Sequence, residues 1–269
     1  MRARILTASI GVPALLLVVY YGVETVAVIS AIAALIAGWE ISELDRAPDD
    51  RRNLLLVVTP PAIVIATSIV IMANQPVTWW FLPSVITGGI GLLLICWVFV
   101  VKRSISSING LVYPVAATYL GILLAHGPAL RGLVGGFEWL LVAILASFAA
   151  DSSAYAVGRA IGRHKVAPTV SPAKTWEGII GGVLGAIGAA IVLVVLLNWP
   201  VSVFMAVVLG ILVALGSVLG DLAESAVKRR AGVKNTGRLL PGHGGILDRL
   251  DSLAPCLAIV YWFAIANGV

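Results

Sequence analysis

What most constrains this chain is a succession of apolar runs, each long enough to cross a lipid bilayer, separated by short polar connectors. A helix spanning hydrocarbon takes roughly 20 apolar residues. It must also satisfy every backbone N–H and C=O within itself, because lipid offers no partners. Nine such runs can be drawn, at roughly 4–22, 24–43, 54–73, 78–101, 109–130, 137–158, 176–198, 201–226 and 246–267. The alternating segments of ~10 residues that mark a membrane β-barrel do not occur. A content of 60% hydrophobic and 12% charged residues excludes an ordinary soluble domain. The expected fold class is an all-α polytopic integral membrane protein with about nine transmembrane helices. Arg2 and Arg4 precede the first run as in a signal peptide, but no clear small-residue cleavage site follows, so it is read as a retained helix.

Nine spans also organise the charge. With the N-terminus in the cytoplasm, every Lys and Arg except Arg131 falls on the inner side, as the positive-inside rule requires. This predicts a protein of the cell's inner (plasma) membrane whose polar working face is cytoplasmic. The net charge of +5 fits that bias, and it also fits attraction to anionic headgroups and nucleotide phosphates. The basic residues form short clusters beside spans without interleaved aromatics, so nothing points to nucleic acid as a partner. Cys96 and Cys256 lie inside apolar runs and read as small buried hydrophobes.

The two halves differ. Residues 1–135 are chemically quiet and read as a packing and dimer region; 136–269 carry the acids and the long basic connectors, and read as the catalytic region. In the first half, Pro60–Pro61 is expected to kink its span. Trp79 and Trp80 fit an interfacial aromatic belt, and Glu40, Glu43 and Asp45 read mainly as part of a solvated connector. In the second half, glycines at 178, 181, 182, 185 and 188 line span seven, at the spacing that lets helices approach closely.

Three constellations carry chemistry. Asp221, Glu224, Ser225 and Lys228 stand at i, i+3, i+4 and i+7, on one face of span eight. An ion pair between Glu224 and Lys228 would explain two of them but not the deeper Asp221, and an acid at membrane depth marks a functional site. Asp248, Asp251 and Ser252 repeat the device at the start of span nine; helix capping accounts for one aspartate more easily than for two. Span six contributes Asp151, and the connector after it holds Ser171-Pro-Ala-Lys174-Thr175-Trp-Glu177-Gly. Ser171-Pro172 reads as a turn and Thr175 as the N-cap of span seven. Lys174 is poorly placed beside a positively polarised helix start unless an anion is bound there.

Carboxylates converging from separate helices need a cation, since like charges raise one another's pKa in a low-dielectric site. All-oxygen ligands suit Mg2+, which leaves positions for water and substrate phosphate. His243, between glycines in Pro-Gly-His-Gly-Gly, reads equally as a phosphate or acid/base group and as part of a turn. Walker A, HExxH and GxSxG motifs are missing, which weakens the common NTPase, zinc-protease and serine-hydrolase readings.

At Ser225-Ala-Val-Lys-Arg through Lys234, and at Leu240-Pro-Gly-His-Gly-Gly-Ile-Leu-Asp-Arg-Leu-Asp251, the chain resembles the phosphatidate cytidylyltransferases (CDP-diacylglycerol synthases). Asp151-Ser-Ser-Ala-Tyr-Ala-Val-Gly-Arg and Ser171-Pro-Ala-Lys-Thr-Trp-Glu-Gly are similar to the same family. The resemblance covers roughly 140–255. It implies a Mg2+-dependent homodimer that joins CTP and phosphatidic acid into CDP-diacylglycerol and pyrophosphate, in a cytoplasm-facing cavity open to membrane lipid. One departure is Lys234-Asn235, where the family usually has Lys-Asp; Asn keeps an oxygen but loses the charge.

Both lines together give the expected site. Asp221 and Asp248 are the metal ligands, with Asp151, Asp251 and Glu224 assisting, for Mg2+ and with a second cation left open. Lys174, Lys228 and His243 join the two aspartates as catalytic groups. Ser171, Lys174, Ser225, Lys228, Arg229, Lys234, Arg238, His243 and Arg249 are the expected substrate contacts. Rival readings are a cation-coupled transporter, a CTP-dependent lipid-alcohol kinase and an intramembrane prenyltransferase. Acids clustered at the cytoplasmic ends of spans argue against the first, and the long signature argues against the other two.

Overall fold

Among the described residues, the apolar runs fold as helices. The computed structural model describes residues 2–45, 50–73, 109–237 and 244–268. In chain order these form α1 (Arg2–Tyr21), α2 (Val23–Leu44), α3 (Asp50–Met72), α4 (Asn109–Arg131), α5 (Gly136–Ile161), strands β1 (Lys165–Ala167) and β2 (Ser171–Thr175), α6 (Trp176–Leu196), α7 (Val203–Arg230), α8 (Leu247–Leu250) and α9 (Leu253–Ala266). Among the described residues, six helical stretches are long and apolar enough to cross a membrane, with the short α8 counting together with α9. The protein is therefore an all-α integral membrane protein in class. The predicted span at 78–101, Trp79, Trp80 and Cys96 lie outside the described residues.

Two differences from the sequence reading matter for the site. Span nine is not one continuous helix: a turn at Asp251–Ser252 separates α8 from α9, and the Ser252 amide donates to Asp251 Oδ1 at 2.8 Å. The connector between α5 and α6 forms an antiparallel ribbon, with Lys165 opposite Thr175 and Ala167 opposite Ser171. Ser171 and Pro172 are thus strand residues, and the turn lies at 168–170, closed by the Val170 amide on the Ala167 carbonyl at 3.2 Å. A two-stranded ribbon is all edge, so a proline without an N–H can be placed where no ladder bond is needed.

The chain divides into two compact units, residues 1–132 with 226–250, and residues 133–225 with 251–269. In the first, α2, α3 and α4 pack on one another around Ile41, Val64, Leu130 and the fully buried His126. The His126 ring shares a hydrogen bond with the Ile122 carbonyl at 2.8 Å, one turn back. α3 continues through Pro60–Pro61, and Gly121 of α4 lies against Pro60 there. Arg131 donates from Nε to the Val19 carbonyl at 2.9 Å, which ties α4 to α1.

In the second unit, α5 and α6 form the main pair. Their seam consists of small residues: a Cβ added at Gly178, Gly181, Gly182 or Gly185 would press into Ala154, Val157, Ala150 or Ser153 of α5. The opposite face of α6 leaves Ile180, Leu184, Val192 and Val195 exposed. Small residues inside and large apolar residues outside suit a helix solvated by lipid, where close packing rather than apolar burial drives association. Gly188 meets nothing within 4 Å, so the packing role stops short of it. Trp139 stacks edge-on against Trp199, with ring centroids 4.4 Å apart, and Cys256 is buried as a free thiol.

Candidate active site

The N-cap of α6 fixes the ribbon beside it. Thr175 accepts from the Gly178 amide at 3.2 Å, which satisfies one of the orphan donors of the first turn. Glu177, in that same turn, accepts from the amides of Arg163 and His164 and pairs with His164 Nδ1 at 2.6 Å. One capped turn therefore anchors both ends of the connector that carries Lys174.

Lys174 has found its anion within the protein. Its Nζ lies 2.9 Å from Asp221 Oδ2 and donates to the Val218 carbonyl at 3.1 Å. Asp221 also accepts at Oδ1 from Ser225 one turn further along α7, at 3.2 Å, and its side chain keeps 37% of its exposure. The helical spacing then does what the sequence implied: Asp221 and Glu224 share a face. The turn at Asp251–Ser252 brings a third acid to them. Asp221, Glu224 and Asp251 each offer an oxygen, all within 4.8 Å of one another. Gly220 makes this approach possible, because a Cβ there would overlap the Asp251 carbonyl oxygen. Three hard oxygen donors held this closely fit a divalent cation of the Mg2+ type, which would relieve their mutual repulsion.

Asp151, expected to assist the metal, has a different partnership. Ser217 donates to its Oδ1 at 2.6 Å and Ser252 to its Oδ2 at 2.7 Å. It is a clamp joining α5, α7 and the turn before α9, so it holds Ser252 next to Asp251.

Asp248, expected to be a principal ligand, is also engaged, within the first unit. Oδ1 takes Lys228 Nζ at 2.7 Å. Oδ2 accepts from the Gly245 amide at 2.8 Å and from the Thr236 amide and hydroxyl, each at 3.1 Å. Gly244 has φ +84, and a Cβ there would collide with Asp248, so glycine is required on both counts. Both oxygens thus have partners at Lys228, Thr236 and Gly245, and the grouped acids are Asp221, Glu224 and Asp251. Lys228 is correspondingly buried, whereas Arg229, Lys234 and Arg249 are exposed. Arg229 donates to the Val233 carbonyl at 3.2 Å. Arg238 and His243 lie outside the described residues.

Sequence reasoning undervalued Glu40. It is 3% exposed on α2, and its carboxylate accepts from the Ile246 amide at 2.9 Å, the Leu247 amide at 2.8 Å and the Thr236 hydroxyl at 3.2 Å. Its one visible signal was an acid at the end of an apolar run.

Comparison with known proteins agrees with the motifs. The sequence profile of the cytidylyltransferase family matches residues 2–266. A phosphatidate cytidylyltransferase of Staphylococcus haemolyticus is 33% identical over 256 residues, 94% of either chain. The chloroplastic phosphatidate cytidylyltransferase 5 of Arabidopsis thaliana is 43% identical over 166 residues, which are 60% of this chain and 40% of that protein. The phosphatidate cytidylyltransferase of Haemophilus influenzae is 42% identical over 137 residues, 48% of each chain. The matched stretch is thus less than half the length of those last two relatives, but nearly all of the first. A match along almost the whole chain places the protein in the cytidylyltransferase family, among its phosphatidate cytidylyltransferases.

Proposed function

We infer that the protein transfers the cytidylyl group of CTP to phosphatidic acid, releasing pyrophosphate and leaving CDP-diacylglycerol, a step of phospholipid biosynthesis. The observation that carries this reading is the trio Asp221, Glu224 and Asp251 with Lys174 bonded to one of its members. The near full-length likeness to a phosphatidate cytidylyltransferase supplies the substrates. Asp221, Glu224 and Asp251 would hold Mg2+, and Asp151 keeps Asp251 in place through Ser252. When bound, the ion neutralises charge on the triphosphate and on the departing pyrophosphate.

In the transfer, a phosphate oxygen of phosphatidic acid forms the new bond to the α-phosphorus of CTP, and the bond from that phosphorus to the β-phosphate oxygen breaks in line. A phosphate monoester is already largely ionised near pH 7, so no dedicated base is needed. The chain contributes position and charge. Lys174 is paired with Asp221 and is set to turn from it to a phosphate oxygen as the substrates arrive. Arg229, Lys234 and Arg249 offer exposed charge to the triphosphate or to the lipid phosphate, and Arg238, His243, Ser171 and Ser225 complete the proposed contacts. Lys228 and Asp248 act as a buried pair that fixes Thr236 and the turn at Gly245.

The positive-inside distribution supports nine spans, an N-terminus in the cytoplasm, residence in the inner membrane and an active face on the cytoplasmic side. The division into a packing and dimer region at 1–135 and a catalytic region at 136–269, and a homodimer, complete the proposal.

Purified full-length protein given labelled CTP, phosphatidic acid and Mg2+ should form a labelled liponucleotide and pyrophosphate in equal amounts. CTP consumption without a lipid-linked product, or solute uptake by sealed vesicles without nucleotide consumption, would refute the reading.

A further inference from the structure

Outside the acid trio, the most heavily engaged ionisable group without an assigned role is Glu40. It comes from the chemically quiet half of the chain, yet all three of its bonds reach 236–247, up to 207 positions away. The receiving segment is built for it: a Cβ at Gly237 would press on Glu40 Oε1, and one at Gly245 would overlap both carboxylate oxygens. The amides of Ile246 and Leu247 point at the carboxylate, and the Thr236 hydroxyl lies within reach of both Glu40 and Asp248. The Gly245 amide is taken by Asp248. The amides that close the Gly-Gly turn are therefore spent on two protein carboxylates and are not a cradle for substrate phosphate.

We propose that Glu40 is a positioning residue for cytidylyl transfer, a tether from α2 that holds Thr236 and the 245–247 turn, and through them Asp248, in place. The proposal rests on the function inferred above, because it gives the loop its catalytic purpose. Physically, the tether works because buried amides cannot be left without acceptors. With Glu40 in place, the Ile246 and Leu247 amides and the Thr236 hydroxyl are satisfied together. That arrangement also leaves Thr236 and Gly245 facing Asp248, and so fixes the Lys228–Asp248 pair. Without Glu40, the Ile246 and Leu247 amides lose their acceptor and the Thr236 hydroxyl keeps only Asp248, so the turn that leads into Asp248 and Arg249 is no longer held.

The test uses the full-length protein in lipid nanodiscs, with Glu40→Ala, Glu40→Gln and Thr236→Val. Hydrogen exchange at the Ile246 and Leu247 amides should rise about 100-fold in Glu40→Ala, as expected when two buried bonds are lost together. Exchange within α5 and α6 should stay unchanged. kcat/KM for liponucleotide formation should fall about tenfold or more. Glu40→Gln keeps one acceptor oxygen and should recover part of both effects. Thr236→Val leaves both Glu40–amide bonds in place and should show the smallest change.

Unchanged exchange in Glu40→Ala would overturn the tether. A loosened loop with wild-type kcat/KM would reduce Glu40 to a structural residue and overturn its part in the reaction. If Glu40→Ala fails to insert, Glu40→Gln carries the same comparison. A wild-type protein that exchanges as described but makes no liponucleotide would overturn the inferred activity and, with it, the catalytic half of this proposal. The tether itself would stand.

Discussion

Two groups of acids, one in each unit, look alike in sequence and differ in what surrounds them. Asp221, Glu224 and Asp251 bring like charges within 4.8 Å of one another. Asp248 and Glu40, in contrast, accept a lysine, three backbone amides at the 245–247 turn, the Thr236 hydroxyl and the Thr236 amide. In the first, Asp221 is paired with Lys174, and three carboxylate oxygens grouped this closely suit a divalent cation. The second is a satisfied polar network that specifies a loop. Carboxylates in a signature motif therefore do not share one role merely because they share a helical face.

The comparison can be broken most sharply at Asp221. Asp221→Asn should lower cytidylyl transfer about 1,000-fold or more, on the scale of the several kcal/mol that metal charge stabilisation supplies. The variant should still insert, and its Mg2+ dependence should weaken or vanish in a titration of activity. Retention of normal Mg2+ response would show that the trio is not the metal site.

Asp248→Ala should act through folding instead. It leaves Lys228 buried without its carboxylate, a loss of about 3–5 kcal/mol for breaking a buried pair. Thermal unfolding should reveal it as a large fall in midpoint, with residual activity keeping a near-normal Mg2+ midpoint. A selective loss of Mg2+ affinity without loss of stability would return Asp248 to the metal site.

Gly220→Ala probes how the third acid reaches the trio. The added methyl overlaps the Asp251 carbonyl, and relieving the clash should cost about 1–3 kcal/mol. Activity should fall more than stability does, because Asp251 is displaced. Equal activity at reduced stability would mean that Asp251 is not needed there. The smallest effect is expected at Thr175→Ala, which removes the α6 cap at a cost of about 1 kcal/mol. The shift in unfolding midpoint should be slight, and transfer should be reduced only through looser placement of Lys174.

Much of the site was legible in the chain itself. The i, i+3 spacing put Asp221 and Glu224 together, Thr175 was recognisable as a cap, and the glycines of α6 were recognisable as a packing seam at four of five positions. The turn that divides span nine was not legible, since Leu247–Ala266 is apolar enough throughout to pass for one span. Nor was the ribbon at 165–175, whose short strands depend on Glu177 and Thr175 fixing their ends.

Helical class and membrane residence were determined by the sequence alone, because insertion into lipid responds to local hydropathy and helical faces follow from local periodicity. Only the tertiary structure decided which carboxylate meets which partner. Lys174 meets Asp221 across 47 positions, and Glu40 meets Leu247 across 207. Such pairings follow from how helices pack, and a charge in an apolar setting takes whatever donor the packing brings within about 3 Å.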